Sequence, residues 1–260
     1  MSHRSVFGLA ILAMAAVAPQ VFGQTSWSDS FPAGPQQTWS LAANGPTGAA
    51  QTYGSGYTTL SGSGAGVVFA SVSSPTFSGS TGVTVRATLN PDASVQSVSN
   101  GVLAATNLPF GNAYTATITM AGDGFLEIQR NSFGSTTTIA STGSAFTPGF
   151  LGLSSYVLEL VVAPNSSLIT ANAYDSTGTT LLNSISAVDP SALTGNYTAG
   201  ILMQRNDAGL VQGTFGNVSA VGVPEPSAVA LAIVGAAGLL GTGGWRRLRS
   251  RRTAGKSAAS

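Results

Sequence analysis

Short runs of alternating apolar and polar residues, separated by Gly, Asn, Asp and Pro, fill the middle of the chain. Val83, Val85, Ala87 and Leu89 fall on one parity, with Thr84, Arg86 and Thr88 on the other. Tyr114, Ala116, Ile118 and Met120 alternate in the same way with Thr115, Thr117 and Thr119. A period of two marks a half-buried strand, because successive side chains leave a strand on opposite faces. No segment between residues 24 and 222 sustains the 3.6-residue period of a helix. The spacing predicts strands over 82–89, 113–120 and 125–130. The last two are joined by Ala121-Gly122-Asp123-Gly124, whose Asp-Gly step accepts the positive φ of a tight hairpin turn. A second meander is expected over 155–163, 168–174 and 179–187. Its first strand is almost continuously apolar and therefore central in its sheet. Strands over 199–205 and 210–220 close the body, and shorter ones are expected near 27–31, 57–60 and 66–72. The Gly- and Ser-rich stretch 54–66 reads as a loop flanking Tyr57–Leu60. Ten or more short strands in about two hundred residues predict an all-β fold, a single jelly-roll β-sandwich. Nothing divides residues 24–222, so one domain is expected there.

The two ends depart from this pattern. Residues 1–23 read as a secretory signal peptide: Arg4 in a short first region, an apolar stretch Val6–Ala18, Pro19, then Val21-Phe22-Gly23 with small residues where cleavage needs them. Cleavage is expected between Gly23 and Gln24; the alternative is a short buried helix. Export through the Sec machinery follows from the first reading. At the other end, Pro224-Glu225-Pro226 precedes the uncharged run Ala228–Gly244, then Trp245 and a cluster of Arg246, Arg247, Arg249, Arg251 and Arg252. Seventeen uncharged residues, all but Thr242 apolar or Gly, reach the lower limit for a membrane-spanning helix. The Trp and the Arg cluster are suited to an interface and a cytoplasmic flank.

These three parts, in this order over residues 223–252, resemble the PEP-CTERM sorting signal of Gram-negative bacteria. The resemblance implies a transmembrane segment over 228–245, processing at Pro224–Pro226 by an exosortase, and a place on the cell surface or in an extracellular matrix beside exopolysaccharide. An ordinary single-pass anchor is the alternative. A second resemblance lies in the body. Ala199–Arg205 followed by Gly213-Thr214-Phe215-Gly216-Asn217-Val218 is similar to the closing strands of concanavalin A-like jelly rolls, which often pair with the first strand. Gly216 stands where Asp is common in that pattern.

Charge and chemistry narrow the function. Only 7% of residues are charged, against roughly a quarter in ordinary domains. Residues 24–222 hold three Arg against six Asp and two Glu, a net −5. With no basic stripe, nucleic acid is not an expected partner. The one His, His3, lies in the signal peptide, and the body has no Cys and no Lys. Ser-His-Asp triads, Cys-His nucleophiles, His- or Cys-ligated metals and Schiff-base lysines are thereby excluded. Carboxylates remain: Asp123 with Glu127 is too extended along a strand for a glycosidase pair, which needs about 5–9.5 Å, while Glu127 with Glu159 stays open. No enzyme activity and no cofactor are expected. Asp175 and Asp207, each in a Gly-containing turn, are weak calcium candidates, as hard oxygen ligands; Asx residues in turns more often bond their own backbone. Trp39, Tyr53 and Tyr57 are the candidates for stacking on sugar rings. The expected function is a structural or adhesive surface protein; the alternative is a carbohydrate-binding, less readily carbohydrate-degrading, lectin-like module with polysaccharide as its partner.

Overall fold

The computed structural model describes residues 25–90, 98–106, 112–119, 125–132, 135–142, 155–164, 168–205 and 210–223. The Gly23–Gln24 junction, Asp123, Asp207, the PEP motif and the apolar and Arg-rich segments after it lie outside the described residues. Every regular element among those described is a strand: β1 (Ser26–Asp29), β2 (Trp39–Asn44), β3 (Thr47–Gly54), β4 (Tyr57–Ser63), β5 (Gly66–Ser78), β6 (Val83–Asn90), β7 (Val98–Ala105), β8 (Ala113–Thr119), β9 (Phe125–Ser132), β10 (Ser135–Ser141), β11 (Tyr156–Val162), β12 (Leu168–Tyr174), β13 (Leu181–Val188), β14 (Asn196–Arg205) and β15 (Leu210–Gly222).

They form two antiparallel sheets. One runs β13-β12-β11-β6-β15-β4-β3, with β1 pairing β15 beyond the end of β4; the other runs β10-β9-β8-β7-β14-β5-β2. The alternation explains the stacking. In β6 the four apolar residues are buried and the polar ones between them half-buried. Leu158 and Leu160 of β11 meet Ala87 and Val85 in register, so apolar parity is kept from strand to strand. From the other sheet Tyr114, Ala116, Ile118, Leu126 and Ile128 enter the same core. A one-residue slip anywhere would turn these side chains outward.

The closing strand behaves as the second resemblance implies. Phe215 is fully buried, and β15 pairs with β1 from Ser26 opposite Val221 to Asp29 opposite Val218. At Asn217 (φ 45°) the register of β15 against β6 shifts, a bulge between Gly216 and Ser219. The central position expected for 155–163 also holds, since β11 is bonded on both sides. The loop expected over 54–66 is mostly strand. Only tight turns at 55–56 and 64–65 interrupt β3, β4 and β5, because Gly56 and Gly64 adopt positive φ and let the chain reverse at once.

Candidate functional site

The sugar-stacking candidates do not share one surface. Tyr53 lies opposite Thr58 in the β3–β4 pair, whereas Tyr57 lies opposite Gly54, so the two tyrosines leave opposite faces of the hairpin. Tyr57 lies across Gly54, where a Cβ would be 2.2 Å from its ring. Tyr53 and Trp39 converge on Phe31, at ring-centroid distances of 6.0 and 5.9 Å, and Trp27 meets Trp39 edge-on at 5.7 Å. That cluster is tied to Asp29, which is fully buried. Asp29 Oδ2 accepts from the Trp39 indole (2.9 Å) and from the amides of Gln36 (2.9 Å) and Gln37 (3.1 Å), and its Oδ1 accepts from the Phe31 amide (3.0 Å). The carboxylate therefore organises segment 30–38.

Asp175 is occupied by its own turn. Its Oδ1 accepts from the Thr177 hydroxyl at 2.7 Å and from the Thr179 and Thr180 amides at 3.2 and 3.3 Å. The Thr177 bond, followed by those from Thr180 and Thr179, holds its carboxyl well below the usual carboxylate range. Among the described residues no three Asp, Glu, His or Cys side chains gather as a metal ion would need.

Glu127 and Glu159 are on opposite outer surfaces of the sandwich. Glu159 lies between core residues Leu158 and Leu160 of β11, and Glu127 between core residues Leu126 and Ile128 of β9, so each points away from the shared interior, one from each sheet. They cannot act as a pair. Glu159 accepts from Asn172 (2.9 Å) and the Tyr174 hydroxyl (3.1 Å). Beside it Arg86 stacks 4.9 Å from the Tyr174 ring centroid and donates to the Gly178 carbonyl. This network fastens the 175–180 turn to its sheet.

Glu127 sits in different company. Register places it in one row with Thr117, Gly101 and Leu202, and places Gln129 in the next row with Thr115, Leu103, Gly200 and Ser71. Neighbouring strands lie about 4.8 Å apart, so these rows cross four and five strands on the outer face of the seven-stranded sheet. Gln129 donates to Glu127 at 2.8 Å. Next to the polar row is a second apolar cluster of Leu103, Ala105, Ala113 and Leu202, flanked by Val67 and Phe69. Gly200 is obligatory here, since a Cβ would lie 2.1 Å from the Ala70 carbonyl oxygen. Thr117 and Ser71 are fully buried and Gln129 is 5% exposed. Thr117 Oγ1, Ser71 Oγ and Gln129 Oε1 nevertheless have no hydrogen-bond partner. Buried polar atoms are nearly always satisfied, and one left bare costs about 1–3 kcal/mol. Three such atoms lie buried on the outer-facing parity of one sheet, in the layer beneath half-buried Glu127, Val67 and Phe69.

Sequence reasoning reached Glu127 by its carboxylate but missed Gln129, Thr117 and Ser71. The available signal was the spacing Glu127-x-Gln129-x-Asn131, three polar residues on one parity of a strand whose other parity is Leu126 and Ile128.

No known family profile matches the chain, and no curated protein is similar to it in sequence. Solved structures are similar in fold. Arcelin-5, a lectin-like defence protein from Phaseolus vulgaris, shares 12% identity at a TM-score of 0.55, over 78% of this chain and 99% of its own. The CBM2 module of the evolved Dit of Lactobacillus casei BL23 phage J-1 shares 9% at 0.51, over 78% and 98%. Basic winged bean lectin, solved with Tn-antigen, shares 11% at 0.50, over 78% and 100%. With two antiparallel sheets and a last strand closing on the first, the body has the concanavalin A-like, lectin-like jelly-roll fold.

Proposed function

We propose that the body is a non-catalytic glycan-binding module of an exported bacterial surface or matrix protein. The observation that carries this reading is the outer face of the seven-stranded sheet, where half-buried Glu127, with Gln129 donating to it, shares the face with half-buried Val67 and Phe69, which flank a buried apolar cluster. A pyranose has a hydroxyl-bearing edge and an apolar C–H face, and a site with a few fixed polar groups on an apolar floor complements both. The lectin and the phage module similar in fold support the same reading. Glu127 is the only formal charge that the described strands place on this face, so neutral glycans are favoured over uronates. The separation of Glu127 from Glu159 supports binding without hydrolysis.

The exported protein is expected to be retained by a neutral polysaccharide matrix in affinity electrophoresis. Glu127→Ala and Gln129→Ala each weaken retention at least tenfold. Thr117→Val is expected to keep or raise Tm with retention unchanged, since a buried hydroxyl without a partner is replaced by an isosteric methyl. Unchanged retention in both Glu127→Ala and Gln129→Ala, or no retention by any polysaccharide tested, would sink the proposal.

The sorting reading is carried forward with it: export through Sec, then exosortase processing at Pro224-Glu225-Pro226. Its support is the ordered motif, apolar run and Arg cluster, together with the end of the body. β15 finishes at Gly222 and the Val223 amide donates to the Gly82 carbonyl, so folded structure runs up to the motif. The mature protein from its host is expected to have an intact mass ending near Pro224–Ser227. A mass that retains Ala228–Ser260 would replace sorting with permanent anchoring.

A further inference from the structure

We infer that β13 is a self-association edge, on which a second copy of this chain pairs its own β13 antiparallel about a two-fold axis through Ile185. β13 ends its sheet: β12 bonds one side and no described strand bonds the other. Sheet edges are ordinarily protected against such pairing by charges, Pro or inward Lys. β13 reads Leu181-Leu182-Asn183-Ser184-Ile185-Ser186-Ala187-Val188, without a charge, Pro or Gly. It is regular against β12 from Asn183 to Val188 after a bulge at its start. Among the other terminal strands, β3 contains Gly48 at φ 61° and a register shift, and β10 is interrupted by a shift between Thr138 and Ala140. β2 is likewise uncharged and regular, but it spans six residues against the eight of β13.

The occupant follows from symmetry. Antiparallel pairing through Ile185 sets Ser184 opposite the partner copy's Ser186, Asn183 opposite its Ala187, and the Leu181–Leu182 bulge beside its Val188. Each pair lies on one face, as directly opposed residues must. Leu181 is 52% exposed and Val188 63%, at opposite ends of the strand, so one two-fold covers both ends at once. A charged edge would repel its own copy across such an axis; this one carries no charge to do so. Asp189, which follows, is nearly buried and ion-paired to Arg130 at 3.3 Å.

The chain has no Cys, so a single substitution reports alone. In the full exported chain under oxidising conditions, Ile185→Cys is expected to give a disulfide-linked dimer. Directly opposed Cα atoms lie about 4.5–5.5 Å apart, within the roughly 4.4–6.8 Å that a disulfide spans. Val188→Cys is expected to stay monomeric, because its symmetry mate is six residues along the strand, about 20 Å away. In parallel, sedimentation of the Cys-free chain shows a dimer, and Leu181→Lys with Val188→Lys weakens it at least tenfold at unchanged Tm, both sites being exposed. The inference is overturned by a wild-type monomer up to about 100 µM, by no cross-link at residue 185, or by equal cross-linking through Val188→Cys or Thr137→Cys on β10.

Discussion

Asp29→Ala is expected to lower the unfolding free energy by about 3–5 kcal/mol, read as a shift of the urea midpoint. The carboxylate is fully buried and serves four donors, three of them backbone amides of segment 30–38 and the fourth the Trp39 indole. Removing it strands all four, and each buried donor left unsatisfied costs about 1–3 kcal/mol, part of which water recovers at the half-buried positions. Phe31 adds to the cost. It is fully buried at φ 51°, a conformation that a bulky residue holds only when its surroundings enforce it. Asp29 accepts its amide and Gly56 donates to its carbonyl at 2.7 Å. Asp29→Asn should fall between the two, since one amide oxygen can serve only one side of the node and its NH₂ faces donors. A loss no greater than that of Trp39→Phe would mean that the carboxylate does not organise the segment.

The second large effect is expected at Asp189. Its Oδ2 accepts from the Tyr114 hydroxyl at 2.7 Å, Arg130 lies 3.3 Å away, and Oδ1 accepts from the Ser191 amide at 2.9 Å. Tyr114 in turn accepts from the Leu193 amide, and the Tyr197 hydroxyl donates to the Leu193 carbonyl. Asp189→Ala leaves the Arg130 guanidinium, itself only partly exposed, without its counter-ion, and costs about 3–5 kcal/mol. The same network sets a pH dependence. Burial first, and then the bond to Asp189, raise the Tyr114 pKa; burial alone raises that of Tyr156. A phenol held neutral in the fold contributes stability that is intact below the ordinary tyrosine pKa near 10 and declines as pH climbs above it. Melting temperature is therefore expected to be flat toward pH 9 and to fall beyond pH 10. The alkaline slope should be shallower in Tyr114→Phe and in Tyr156→Phe; an equal slope in both variants would assign it elsewhere.

Strands with contrast between their two faces were legible in the sequence. Val83–Leu89 and Ala113–Thr119 announce themselves because one parity enters the core and the other does not. β10, Ser-Thr-Thr-Thr-Ile-Ala-Ser, was not legible, since an exposed edge strand needs little apolar residue on either parity. β7 was hidden for the opposite reason: from Asn100 to Ala105 both parities are buried, so no alternation survives. The candidate face suffered likewise. Thr115 and Thr117 read as the polar parity of a half-buried strand, yet both are buried; register sets them between β7 and β9, a neighbourhood that local composition does not encode. Glu127 and Glu159 stayed an open pair for the same reason. Only the assignment of β9 and β11 to different sheets separates them.

The exit of the chain through β15 has a mechanical consequence. A pull on residue 223 is delivered to a strand in the interior of its sheet, bonded along one side to β6 and along the other to β4 and then β1. Its hydrogen bonds are loaded together along the strand, so many must fail at once. A pull between residues 25 and 223 meets a different geometry. Ser26 faces Val221 and the Gly222 amide donates to the Thr25 carbonyl, so both ends emerge side by side and β1 peels from β15 one bond at a time. The sandwich is thus strong against drag borne by a tether at its C-terminal end and weak against separation of its own two ends.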